Sequence, residues 1–235
     1  MGRKAAWNAV RERVLDIAIT APAYSIDTMG IVGATEWMAL GWTSEGFHEH
    51  ARDKGSYYDW AQPYYENVGL RLLAMPMEFA GLMFSRKPLT KIEEMEGHLM
   101  RDSGGMALWQ EALGFHPMPI AGEDFYEAVM RGVIDGGVQS ISGYVDQKWY
   151  EVAPYVMQSI IRNPSNMALV MNLDAYNPLP DDLKAIVDQA AIDSEDWLWE
   201  ENQDIFKELK AEIMRYPGAT WWKTSPEEEV KLREM

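Results

Sequence analysis

The residue types that could handle an anion meet at Arg101. It ends the short apolar run Leu99-Met100-Arg101 inside EGHLMRDSGGMALWQEALG, which extends from Glu96 to Gly114. Asp102-Ser103 then read as helix-capping residues, and Gly104-Gly105 keep the first turn of the next helix thin. An arginine at a strand end, beside the bare N–H groups of a helix start, favours a negative charge. A solvated arginine in a charged loop has the same local signature.

The other candidate groups point to blander roles. His48 and His50 are two residues apart on a helix-like stretch, so they face different ways and read as helix-surface residues. VIDGG could present Asp135 as a catalytic carboxylate, although Asp-Gly is first of all a turn signal. Glu93-Glu94 and Glu227-Glu228-Glu229 read as solvated helix starts. The ten tryptophans, Trp221-Trp222 among them, fit core or lobe contacts better than a cofactor box. No H-E-x-x-H, G-x-S-x-G, phosphate loop or G-x-G-x-x-G is present. With no cysteine there is no thiolate nucleophile, disulfide or cysteine metal site. Nothing in these residues demands an enzyme.

Composition narrows the partners. The 235 residues are 47% hydrophobic and 25% charged, enough for one sizeable domain or two small ones with a real core. The net charge of −16, from 37 acidic and 21 basic residues, excludes the basic footprint of a nucleic-acid binder and disfavours an anionic membrane surface. The first residues lack the apolar core of a signal peptide, and no stretch approaches the ~18 apolar residues of a membrane-spanning helix.

The elements that must position Arg101 alternate along the chain. VLDIAITA (14–21), LRLLAMPM (70–77), HLMR (98–101) and MALVMNLDAY (167–176) read as strands, HPMPI (116–120) as a short extended piece and IDGGVQSI (134–141) as a strand or loop. The aromatic-rich stretch from Ser44 to Gly69, GGMALWQEALG and GEDFYEAVMRGV read as helices. Strands separated by helices predict α/β layers with mainly parallel sheets. From Asp182 to Arg215, apolar residues recur at helical spacing after Pro180 and stop at Pro217-Gly218. A helix of ~35 residues would be about 50 Å long, so it must brace two lobes or break near Ser194.

SRKPLTKIEEMEGHLMR (85–101) resembles a signature of the solute-binding proteins of TRAP (tripartite ATP-independent periplasmic) transporters. ALGFHPMPIAGEDFYEAVMRGVIDGG, KWYEVAPYV and LPDDLKAIVDQAA are similar to further pieces of that family, in the same order, so that the likeness covers roughly positions 10 to 215. The resemblance implies a two-lobe periplasmic binding protein-like α/β fold with a ligand cleft and a long lobe-spanning helix. The expected ranges are 1–95 for the first lobe, 96–172 for the second, 173–216 for the long helix region and 217–235 for a C-terminal segment. It further implies periplasmic localisation, no catalysis, no cofactor and no metal. The ligand is expected to be a small organic acid, the partner the transporter's membrane subunits, and the assembly a monomer or dimer. Family members begin with a signal peptide and two βα units ahead of the strand aligned with VLDIAI, so the first lobe is expected to lack these strands and part of its ligand wall.

In that family the arginine at the Arg101 position grips the ligand's carboxylate with both prongs of its guanidinium, a geometry that planar Arg supplies and Lys does not. Gln139 stands where the family often has an asparagine that helps hold the same carboxylate. Departures from the family pattern shape the expected ligand. No arginine lies between Glu78 and Ser85, where many members carry a second one, so the ligand is a monocarboxylate or has a neutral or cationic far end, which Glu78 could face. Gly122 replaces an aromatic of some members, which implies a roomier pocket. Val138 replaces the glutamate of metal-assisted members, so no calcium or sodium bridge is expected. Tyr24 follows a strand at its C-terminal end, where open α/β sheets bind ligands, and Trp37 and Tyr57 are further nominees. Two alternatives stay open: a sensory binding protein of the same fold, and, more remotely, an α/β enzyme with Asp135 or Glu78 as base.

Overall fold

The computed structural model describes residues 3–35, 44–78, 82–102, 107–158 and 165–234. Helix α1 (Arg3–Arg11) buries Trp7 and Val10, three residues apart and therefore on one face. Strand β1 (Ile17–Thr20) leads to the short helices α2 (Ile26–Met29) and α3 (Ile31–Thr35). The aromatic stretch after Ser44 forms two helices, α4 (Ser44–His50) and α5 (Tyr57–Glu66), with Gly55 at φ 78° turning the chain between them. Strands β2 (Leu70–Ala74) and β3 (Met77–Glu78) follow.

The chain then builds a second layer system: β4 (Leu82–Ser85), β5 (Leu99–Asp102), α6 (Ala107–Ala112), β6 (His116–Pro119), α7 (Phe125–Met130), β7 (Gly136–Gln139), α8 (Ile141–Asp146) and β8 (Tyr155–Gln158). It returns through β9 (Ser165–Asn166) to β10 (Ala168–Asn172) and α9 (Leu173–Tyr176). The long helix α10 (Asp181–Ile213), β11 (Thr220–Lys223) and α11 (Pro226–Glu234) complete it.

Two sheets result. One has the order β1-β10-β2, and the other β11-β8-β4-β7-β5-β6, while β3 and β9 pair antiparallel between them in the chain. Sheet membership departs from the expected ranges at two places. Leu82–Ser85, inside 1–95, is an inner strand of the six-stranded sheet, and Ala168–Asn172, inside 96–172, is the middle strand of the three-stranded one. Neither sheet is of the mainly parallel kind expected: the three-stranded sheet is antiparallel and the six-stranded one mixed. β10 runs antiparallel to both β1 and β2, and β4 antiparallel to both β7 and β8. The physical reason is that each of these strands arrives directly from the other lobe, without the helical crossover that parallel pairing requires. β1 is an edge strand with Ile17 and Ile19 about half exposed, at 44% and 52%.

Each sheet carries its own core. Trp7, Phe47, Tyr65, Leu70 and Val170 pack together in the first lobe. In the second, Leu82 and Phe84 of β4 face a cluster with Phe125, Tyr144 and Trp149, whereas Met83 faces Met95, Met100 and Phe115. Both faces of that sheet are therefore covered, which is why β4 reads as a plain apolar run with no period-two alternation.

Helix α10 is one continuous helix of 33 residues, or about 50 Å. In the first lobe, Asp188 accepts two hydrogen bonds from Arg71 (3.3 and 2.9 Å) and one from Tyr176 (2.9 Å). Seven residues on, the buried carboxylate of Glu195 holds Arg52 and accepts from Tyr58 (2.8 Å). A spacing of seven is two turns, so both clamps lie on one face. Asn202 donates to the carbonyl of Met77 in β3 (2.6 Å). Beyond that point Phe206, Leu209 and Ile213 pack on the second-lobe core, beside Trp221.

Candidate ligand-binding site

Arg101 lies on β5, between β6 and β7. Strand alternation sends Met100 into the cluster with Phe115 and turns Arg101 to the opposite face. It is 8% exposed, an unusual depth for an arginine. Nε donates to the Ile120 carbonyl and Nη1 to the Val138 carbonyl, both at 2.9 Å. The two carbonyls orient the guanidinium plane. Below it lies the Trp149 ring, with the guanidinium carbon 5.7 Å from the ring centroid, and Phe125 stacks on that indole at 3.5 Å. The ring's negative face favours a cation there.

The Asp-Gly-Gly motif works by steric allowance rather than as a turn. Gly136 and Gly137 open β7, and neither has a positive φ. A Cβ on Gly136 would stand 2.0 Å from the Phe84 carbonyl oxygen, and one on Gly137 would stand 2.7 Å from the Phe125 ring and 2.9 Å from the Arg101 Cβ. Glycine is required because β4 and the arginine approach this closely. Asp135 itself, just ahead of the strand, is held by His98 (2.9 Å) and Arg86 (3.0 Å). Partial burial pushes its carboxyl up, but hydrogen bonds from His98, the Leu99 N–H and Arg86 outweigh this and hold it below the usual carboxylate range. A carboxylate so held is a weak base, which counts against the enzyme reading through Asp135.

Gln139, at the end of β7, folds back over Gly143: a Cβ there would stand 2.8 Å from its Cγ. The Ser140 N–H donates to Oε1 of Gln139 (3.2 Å), which fixes the amide so that Nε2 points away as a donor. Gly122 sits in a 3-10 turn two residues after Ile120. A Cβ on it would meet Oε1 and Nε2 of Gln147 at 3.5 and 3.6 Å and Nε2 of Gln139 at 3.8 Å. A side chain at Gly122 would therefore meet two carboxamides at ordinary contact distance.

Arg101, Gln139 and Gly122 are thus brought together from β5, β7 and the turn before α7. Tyr24 lies in the turn Pro22–Ser25 after β1, and Glu78 pairs with Ser165 through the backbone; their side chains fall outside the described part. Trp37 lies outside the described residues. Tyr57 belongs to the first-lobe core, packed against Phe47 at 5.2 Å. Three participants escaped the sequence reading. Ile120 contributes only a carbonyl and Gln147 had no motif, whereas Trp149 was visible within KWYEVAPYV but without a role.

His48 stacks on Trp199 at 4.7 Å and His50 bonds Asp53 at 3.0 Å, so both are engaged locally. Among the described residues no cluster of three or more His, Asp or Glu side chains could hold a metal ion, and no helix is long and apolar enough to cross a membrane.

Two α/β lobes, entered twice by the chain and braced by one long helix, define a periplasmic binding protein-like fold. The chain belongs to the bacterial extracellular solute-binding proteins of family 7 (DctP), whose family model matches residues 1–235. It is 34% identical over 113 residues to a solute-binding protein of Sulfitobacter sp. (strain NAS-14.1), a match that covers 46% of this chain and 33% of that relative. In fold it is similar to a TRAP periplasmic solute-binding protein of Marinobacter aquaeolei VT8 in an apo open state (TM-score 0.88, 19% identity, 97% of this chain and 76% of that one). It is also similar to one of Desulfovibrio desulfuricans with bound sn-glycerol-3-phosphate (TM-score 0.82, 23% identity, 98% and 74%).

Proposed function

We propose that this protein captures a small organic acid anion in the periplasm and delivers it to the membrane subunits of a TRAP transporter. One observation carries the reading: a buried guanidinium aimed by the Ile120 and Val138 carbonyls. A carboxylate matches an arginine fork bidentately, and a partly dry site strengthens the pair. The family membership supports the same role. Closure would bring the lobes together about the segments that join the two sheets, which is the hinge motion of such folds.

Native mass spectrometry of freshly purified protein, followed by thermal melts against a panel of monocarboxylates, tests this. A ligand at a hundred times its Kd adds about 2.7 kcal/mol to stability, a shift of several degrees. No shift with any organic acid, on protein extended to the family's full length, would overturn the proposal.

A further inference from the structure

We propose that Gln110 is a positioning residue for Arg101: its amide holds the end of β5 from behind, at the expense of stability. The inference rests on the proposed acid-binding role and adds to it a residue that never meets the ligand.

Gln110 lies in α6 and is wholly buried, which glutamine seldom is. α6 leads to Leu113 and Phe115, which pack with Met100 on the face of the six-stranded sheet opposite the Arg101 side chain. Nε2 of Gln110 donates to the backbone carbonyl of Arg101 (3.4 Å). The backbone carbonyl of Gln110 in turn accepts from the Leu113 and Phe115 N–H groups (3.1 and 3.0 Å), at the entry to β6. β6 ends one residue before Ile120, whose carbonyl holds Nε of Arg101. One residue thus ties the strand that carries the guanidinium to the strand that delivers one of its two acceptors.

The neighbouring strand explains why a side chain is used. Met100 and Asp102 stand opposite Pro117 and Pro119 of β6, and proline has no N–H to give. On that side β5 is short of donors just where Arg101 must be held, and the Gln110 amide supplies one. The bond is long, and it comes with a penalty. Because a carbonyl can only accept, Nε2 must face it and Oε1 must face away. Among the described residues that oxygen is buried with no hydrogen-bond partner. An unmet buried acceptor costs more than one weak hydrogen bond contributes. Methionine or leucine, of similar volume, would therefore suit stability better. A local choice that disfavours the fold is expected where function requires it.

The test follows hydrogen exchange of the Arg101 Nε–H by NMR in the wild type, Gln110→Met and Gln110→Leu, with thermal melts of each. The resonance is assigned by its loss in Arg101→Lys. Calorimetric titrations with lactate, hexanoate and benzoate accompany it. Both Gln110 variants should exchange this proton roughly 3- to 10-fold faster and bind the acid that the wild type binds roughly 3- to 10-fold more weakly, the worth of one hydrogen bond. Their melting temperatures should stay level or rise by about 2–4 °C. Lower melting temperatures with unchanged exchange and affinity would make Gln110 merely structural and overturn the proposal. Unchanged exchange at unchanged stability would overturn it as well. A wild type that binds none of the acids, while both variants still speed the exchange, would overturn the acid-binding reading and leave the positioning of Arg101 by Gln110 standing.

Discussion

Gly137 and Arg101 are partners across the parallel β5–β7 pair, and a Cβ on the glycine would come within 2.9 Å of the arginine's own. The arginine's position is therefore set by what its neighbour lacks. Gly137→Ala should destabilise the protein by about 1–3 kcal/mol, the usual range for overpacking, and should weaken acid binding by moving the guanidinium off its carbonyls. Urea unfolding and titration of the same variant check both effects. Gly136→Ala should be worse, because the added atom meets the Phe84 carbonyl oxygen and backbone cannot rotate away.

Arg101→Lys separates charge from shape. The ammonium keeps the charge but cannot hold the Ile120 and Val138 carbonyls and present a planar fork together. Affinity for a carboxylate should fall roughly 10- to 150-fold, the range for one charge-assisted hydrogen bond. Arg101→Ala should lose more affinity and also stability, since two carbonyls lose a donor. Unchanged affinity with a lowered melting temperature would make Arg101 purely structural.

The Glu195 clamp predicts a strong coupling. Glu195 is buried and bonds both Arg52 and Tyr58, so Glu195→Ala strands a half-buried guanidinium. We expect a loss of about 3 kcal/mol in unfolding free energy. The double variant with Arg52→Ala should recover part of it, measured as a thermodynamic cycle. Asp188→Ala should cost less, because its carboxylate is 37% exposed.

Asp135 gives a pH signature. Its carboxyl is held below the ordinary value of about 3.9 by His98, Leu99 and Arg86. A depressed folded value stabilises the protein above about pH 4, and that contribution disappears as the pH falls through the folded value. Asp135→Asn should therefore lower the urea midpoint near neutrality and converge on the wild type in acid. A constant gap at all pH values would sink the assignment.

The features legible in sequence were those with a long or local signature. The brace was read as Asp182 to Arg215 and spans Asp181–Ile213, because its apolar period repeats many times between two prolines. HLMR gave a strand close to its observed bounds, whereas MALVMNLDAY is strand only over Ala168–Asn172 and turns into helix α9 over Leu173–Tyr176. β4, β8 and β11 were not read: LMFS is a four-residue run buried on both faces, YVMQ begins inside KWYEVAPYV, which was noted for its resemblance alone, and TWWK was read as two contact tryptophans. Runs this short carry no period, and strand direction leaves no trace in composition. The site divided likewise. Arg101, Gln139 and Gly122 were nominated by resemblance, whereas the carboxamide of Gln147 beside Gly122 is a long-range placement that no local motif encodes.

The contrast between the two ends of α10 has a mechanical consequence. Its first-lobe half is riveted by directional bonds from Arg71, Tyr176, Arg52 and Tyr58, while its second-lobe half rests on Phe206, Leu209 and Ile213. Apolar contact has no preferred direction, so those side chains can roll over their neighbours with little change in energy. The helix then behaves as a lever fixed in one lobe with a bearing in the other, and α10 should travel with the first lobe whenever the two lobes change their angle.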